Sequence, residues 1–197
     1  ASSLGIAIFG LTMWAMTGLT GACAPLIAAE LGRRAHSVRE VRRTVRMALW
    51  VSVGFGLVGM GIGFAGEVLL LASGQNAAIS ALAGKFMAIL SWAMIPMIAA
   101  SVFRIFVAAL GKPGYATAIT LLALGTNILG NWVLVSGTLG APALGLEGSA
   151  ISSLITSLAM LGAYGVVIGS DRQLRRYRIF GRWWRPEWQR LRQIMAI

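Results

Sequence analysis

Charge is absent from five stretches of this sequence: Ala1 to Ala29, Met47 to Gly66, Phe86 to Phe103, Pro113 to Leu146 and Gly148 to Ser170. The hydrocarbon core of a bilayer is about 30 Å thick, and an α-helix rising about 1.5 Å per residue crosses it with roughly 20 residues. Most of the stretches are long enough. Hydrophobic residues make up 57% of the chain and charged residues 12%, with a mean hydropathy of +0.78, which leaves too little polar surface for a water-soluble globule. The chain reads as an all-α membrane protein, a polytopic bundle of crossing helices.

Five spans follow: Leu4 to Ala29, Met47 to Gly66, Ala81 to Phe103, Tyr115 to Val135 and Gly148 to Gly169. A basic loop at Leu31 to Arg46, a polar turn at Ser73 to Ala77, a Gly-Lys-Pro-Gly turn at Gly111 to Gly114 and a Gly/Pro-rich loop at Gly137 to Gly145 separate them. Sixteen of the 17 Lys and Arg residues then fall on one side: six in the first loop, two at Arg104 and Lys112, and eight from Arg172 to Arg192. Lys85 alone is on the other side. The positive-inside rule puts the basic segments in the cytoplasm and starts the first span outside, so an earlier helix is expected before Ala1. Ala1 to Ala29 is too long, and wrongly flanked, for a secretory signal.

A formal charge of +11 raises the question of nucleic acid, but the basic residues cluster at the ends of apolar runs. Anionic lipid headgroups are the expected counter-charge, and no nucleic acid is expected as a partner. The single Cys23 allows no internal disulfide. No Walker loop, catalytic carboxylate pair, nucleophilic triad or metal-ligand cluster is found, so the residues give no basis for an enzyme or a metal site.

Within the spans, glycines 54, 56, 59, 61 and 63 include a small-xxx-small pair, Gly59 and Gly63, suited to close helix packing. Pro25 and Pro96 each remove a backbone hydrogen bond and can kink a helix. Asn127 and Asn131 share one face of span four, where two amides can coordinate a cation or polar substrate or bond a neighbouring helix. Ser149, Ser152, Ser153 and Thr156 are weaker candidates, because a hydroxyl can bond its own helix backbone. Acidic residues avoid the middle of every span, and Arg104 is expected to snorkel to the cytoplasmic interface. Two amphipathic stripes, Val38-Val41-Val45-Leu49 and Trp188-Leu191-Met195, fit helices lying at the inner headgroup layer.

Several ordered motifs resemble the amino-terminal lobe of the multidrug and toxic compound extrusion (MATE) family. They are Pro25-Leu26-Ile27-Ala28-Ala29 through Gly32, the basic helix Val38 to Arg46, and Leu69-Leu70 through Gly74-Gln75. Phe103-Arg104 through Gly111-Lys112-Pro113, the amides Asn127 and Asn131, and Leu144-Gly145-Leu146-Glu147-Gly148-Ser149-Ala150 complete the series. The resemblance implies that the five spans are helices two to six of a twelve-helix transporter. Residues 1–170 would form the amino-terminal bundle lacking its first helix, and 171–197 a basic amphipathic cytoplasmic linker toward a second lobe.

It further implies export of drugs or other amphipathic, often cationic, small molecules across the bacterial inner membrane. The exchange would be for Na+ or H+ by alternating access, with no other cofactor. Asn127, Asn131, Ser153 and Thr156 are the candidate substrate- or cation-binding residues. In some relatives an aspartate matches Asn131; an amide here does not carry a proton. Two other readings compete: a flippase for lipid-linked precursors, which needs a deep cationic cavity that these spans lack, and a non-transporting membrane scaffold.

Overall fold

A computed structural model describes residues 38–72, 74, 76–138 and 142–179. The expected first span with Cys23 and Pro25, the loop residues up to Ser37 and the tail stripe after Pro186 lie outside these residues. Among the described residues there are six helices and no strand: α1 (Val38–Phe64), α2 (Gly66–Ala72), α3 (Ala77–Ala109), α4 (Pro113–Ser136), α5 (Gly145–Ser170) and α6 (Arg172–Arg175). Four segments, Val41–Phe64 within α1 and the whole of α3, α4 and α5, are long and apolar enough to cross a membrane. They correspond to the four predicted spans that the structure describes.

The helix boundaries follow from local chemistry. Asn76 caps α3, its side-chain oxygen accepting from the Ala78 N–H at 2.9 Å. At the other end Gly111 adopts φ +77°, its N–H donating to Ala108 O at 3.1 Å while the Lys112 N–H reaches Val107 O at 3.3 Å. This pair of bonds is a Schellman close, for which glycine is favoured because a Cβ is strained at positive φ. Pro113 then opens α4 at a position where no N–H is needed. Pro96 lies inside α3, and the helix continues through it.

One expectation changes in detail. The Val38-Val41-Val45-Leu49 stripe does not form a separate interfacial helix; it is the first half of α1, continuous with the span. The reason is burial against protein rather than lipid. Val41, Val45 and Leu49 belong to a cluster with Val102, Phe103, Phe106, Ile168, Leu174 and Ile179, drawn from α1, α3, α5 and the segment after α5. Leu174 and Ile179, in the stretch read from sequence as linker, are therefore part of the bundle's core.

The same end is fastened by polar contacts. Arg46 donates through Nε to Ile179 O and through Nη2 to Arg178 O, both at 3.0 Å. Lys112 forms an ion pair with Asp171, which also caps α6 by accepting from the Gln173 and Leu174 N–H groups. The described parts of the three basic segments thus lie at one end of the bundle.

Along the helices, small residues set the spacing. A Cβ built on Gly63 would lie 1.8 Å from Ser91 Oγ, and one on Gly56 2.5 Å from Ile95, so α1 and α3 touch nearly backbone to backbone. Helices α4 and α5 meet the same way: Gly130 faces Ser152, and a Cβ on Gly148 would be 2.4 Å from Leu134 O. By contrast, Gly54, Gly61 and Gly162 have nothing within 4 Å.

Two outcomes are expected. Gly148→Ala drives a methyl into a backbone carbonyl and should cost about 1–3 kcal/mol. Gly162→Ala enters open space and should be neutral or stabilising by up to about 1 kcal/mol. Unfolding of the detergent-solubilised chain checks the pair, and equal stabilities would rule out a tight α4–α5 seam.

A further expected outcome concerns pH. The hydrogen bond from Lys112, helped by the Leu174 and Gln173 N–H groups and opposed by burial, holds the Asp171 carboxyl below the usual carboxylate range. Protonation is then harder in the folded state than in the unfolded one, where an aspartate titrates near about 3.9. The stabilisation is full above that pH and disappears as pH falls through the lowered folded value. Melting temperatures of the native chain and of Asp171→Asn should differ by a constant gap between about pH 5 and 7, and the gap should close below about pH 4.

Candidate cation or substrate site

The α4–α5 seam is what places the amides. Ser152 is buried and donates from Oγ to the Asn127 backbone carbonyl at 3.1 Å, across from Gly130. Along the flank of this seam an open cleft of about 590 Å³ lies between the end of α4 and the start of α5, where the Leu144 N–H still donates to Leu134 O at 3.0 Å. Asn131, Ser136 and Ser149 supply its polar lining, and Trp132, Val135 and Leu146 its apolar lining. A Trp face beside amide and hydroxyl oxygens suits an amphipathic cation.

Asn127 and Asn131, predicted to share a face, are in contact. The Asn131 amide nitrogen donates to Asn127 Oδ1 at 3.0 Å. Asn131 Oδ1 is then left buried with no hydrogen-bond partner among the described residues. A buried carbonyl oxygen without a donor is destabilising by about 1–3 kcal/mol, and its chemistry is that of an acceptor. It can take a cation or an N–H or O–H donor.

Most other hydroxyls in these helices satisfy themselves. Ser52, Ser91, Thr120 and Thr126 all donate to the carbonyl four residues earlier. Ser153 and Thr156 do the same, with Ser149 O at 3.0 Å and Ser152 O at 2.8 Å, and neither lines the cleft. Ser149, which does line it, and Ser152, which bridges the seam, lie nearer the amides than composition alone indicated. The signal for them was the small-residue spacing of Gly148 and Ser152 opposite Gly130. At this end of the bundle exposed Lys85 of α3 stands 3.8 Å from half-buried Glu147 in the first turn of α5, a loosely held pair.

Comparison with known proteins now places the chain. A sequence model described as MatE matches residues 1–133. The chain is 40% identical to a probable multidrug resistance protein NorM of Mesorhizobium japonicum, over 96% of its own length and 39% of the relative. A protein of the same description from Brucella suis is 36% identical over 91% of the chain and 38% of the relative. One from Geobacillus kaustophilus is 30% identical over 97% and 43%. The chain thus spans about two fifths of the length of the curated relatives it matches. With the matched region running from the basic α1 through the amides of α4, in a bundle of apolar helices of the expected order, this multi-pass membrane protein belongs to the MatE family.

Proposed function

We propose that this chain is part of a secondary active transporter that exports drugs or other amphipathic, often cationic, compounds in exchange for Na+ or H+. The observation that carries the reading is the buried, unpartnered Asn131 Oδ1 at the edge of an open cleft, held in place by its own amide's bond to Asn127. An acceptor oxygen left free inside an apolar bundle is a binding element for a cation or a donor-bearing substrate.

Two features support the rest of the reading. The curated relatives are described as multidrug resistance proteins. The three basic segments share one end, which the positive-inside rule assigns to the cytoplasm of a bacterial inner membrane. The cleft then lies near the outer end of α4 and α5, and alternating access would require a second wall that moves relative to it. No enzyme chemistry is proposed for these residues.

The test uses the whole protein expressed in a drug-sensitive bacterial host. Asn127→Leu with Asn131→Leu should bring drug resistance down to that of cells lacking the transporter, with the protein still present in the membrane. Ser153→Ala with Thr156→Ala should leave resistance within about twofold of wild type, since both hydroxyls only bond their own helix. Unchanged resistance and ion dependence in the double amide variant would remove the site assignment.

A further inference from the structure

We propose that the exposed arginines at the basic end of the bundle, centred on Arg104, form a docking surface for the phosphate groups of anionic phospholipids.

Placement along α3 is the first reason. This helix carries two charged residues, Lys85 and Arg104. They are 19 residues apart, which at about 1.5 Å per residue separates them by about 28 Å. That span matches the thickness of a hydrocarbon core, about 30 Å. With one cation at each boundary, the Arg104 guanidinium sits at the level of the lipid phosphates on the basic side.

Exposure, and the lack of a partner among the described residues, are the second. Arg104 is exposed, as are Met97 and Ala108 on the same face of α3, so no described residue covers this face. It is close enough to α5 to act electrostatically on the Tyr164 hydroxyl. That hydroxyl is buried and has no hydrogen-bond partner among the described residues, so it does not satisfy the guanidinium. Five donors in a planar fork therefore face outward at the depth where phosphodiester oxygens lie.

The third reason is charge. Arg39, Arg172, Arg175, Arg176 and Arg178 are also exposed at this end. Of the side chains described there, the one carboxylate is Asp171, and Lys112 neutralises it. Among the described side chains the exposed arginines outnumber the carboxylates at this end. Depth decides which counter-charge it takes. Arg104 lies six residues before the α3 cap at Leu110, about 9 Å below the end of the helix. A soluble acidic protein or a nucleic acid would have to enter the apolar boundary to reach it. A lipid phosphate is already there.

The experiment reads lipid retention by native mass spectrometry on the purified 197-residue chain, after exchange with equimolar phosphatidylglycerol and phosphatidylcholine. The chain should keep phosphatidylglycerol in preference, and Arg104→Gln should lower that preference about fivefold, the factor for one basic residue near an anionic leaflet. Arg104→Lys should restore most of it, and Lys85→Gln, at the opposite end, should leave it unchanged. The triple variant Arg172→Gln, Arg175→Gln, Arg176→Gln, confined to exposed side chains, should also lower it and keeps the test valid if Arg104→Gln fails to fold. Equal retention of the two lipids, or wild-type preference in both charge-removal variants, would overturn the proposal. So would displacement of phosphatidylglycerol by soluble polyglutamate at matched charge, which would mark the surface as a site for a soluble acidic partner.

Discussion

Lipid offers no hydrophobic drive to bring one apolar helix against another, so close approach of backbones has to supply the attraction. The α1–α3 and α4–α5 seams are both built this way, from Gly56 and Gly63 on one and Gly130 and Gly148 on the other. The bundle's large side chains are used differently. Phe103, Phe106, Ile168, Leu174 and Ile179 gather at the basic end, where four parts of the chain converge and where small residues alone would leave voids. The result is a bundle locked at the basic end by a dense cluster and an ion pair, with an open cleft on the α4–α5 flank toward the other end.

The same constraint explains the polar residues. In hydrocarbon a hydroxyl or amide must find its partner within the protein, and several serines and threonines do so against their own helix backbone, four residues back. Ser152 departs from that pattern by crossing to the Asn127 carbonyl, and in doing so ties the seam to the amide pair. Asn131 departs further, because its oxygen is left without any partner. A departure from internal satisfaction at a cleft is where ligand chemistry is expected, since an incoming cation or donor replaces the missing bond.

Much of this was legible in the sequence. The charge-free stretches marked the four described spans, and the Gly-Lys-Pro-Gly turn appeared as a Schellman close followed by a proline-started helix. The i, i+4 spacing of Asn127 and Asn131 anticipated their contact. Other features were not legible, for physical reasons. Whether Val41 and Val45 face headgroups or protein depends on what the chain brings back to them, and Ile179 is 134 residues beyond Val45. Which serine faces the amides depends on helix rotation, which sequence periodicity in an apolar helix leaves open. Ser153 and Thr156 share α5 with Ser149 and Ser152, yet only contact with Gly130 distinguishes the bridging position.

The amide at position 131 has a consequence for coupling on the proposed transport reading. A carboxylate there would bind a cation by charge and could also be neutralised by a proton, so ion and proton would compete. An amide oxygen coordinates through its dipole, stays neutral at any physiological pH and has nothing to titrate. Among the described residues the carboxylates near the cleft end are Glu67 and Glu147, both at helix termini rather than within a span. Binding at the Asn127–Asn131 pair should therefore depend on the cation's concentration and size but little on pH. Proton coupling in the same transporter would have to be carried by a group elsewhere, acting on this cleft through the positions of the helices that frame it.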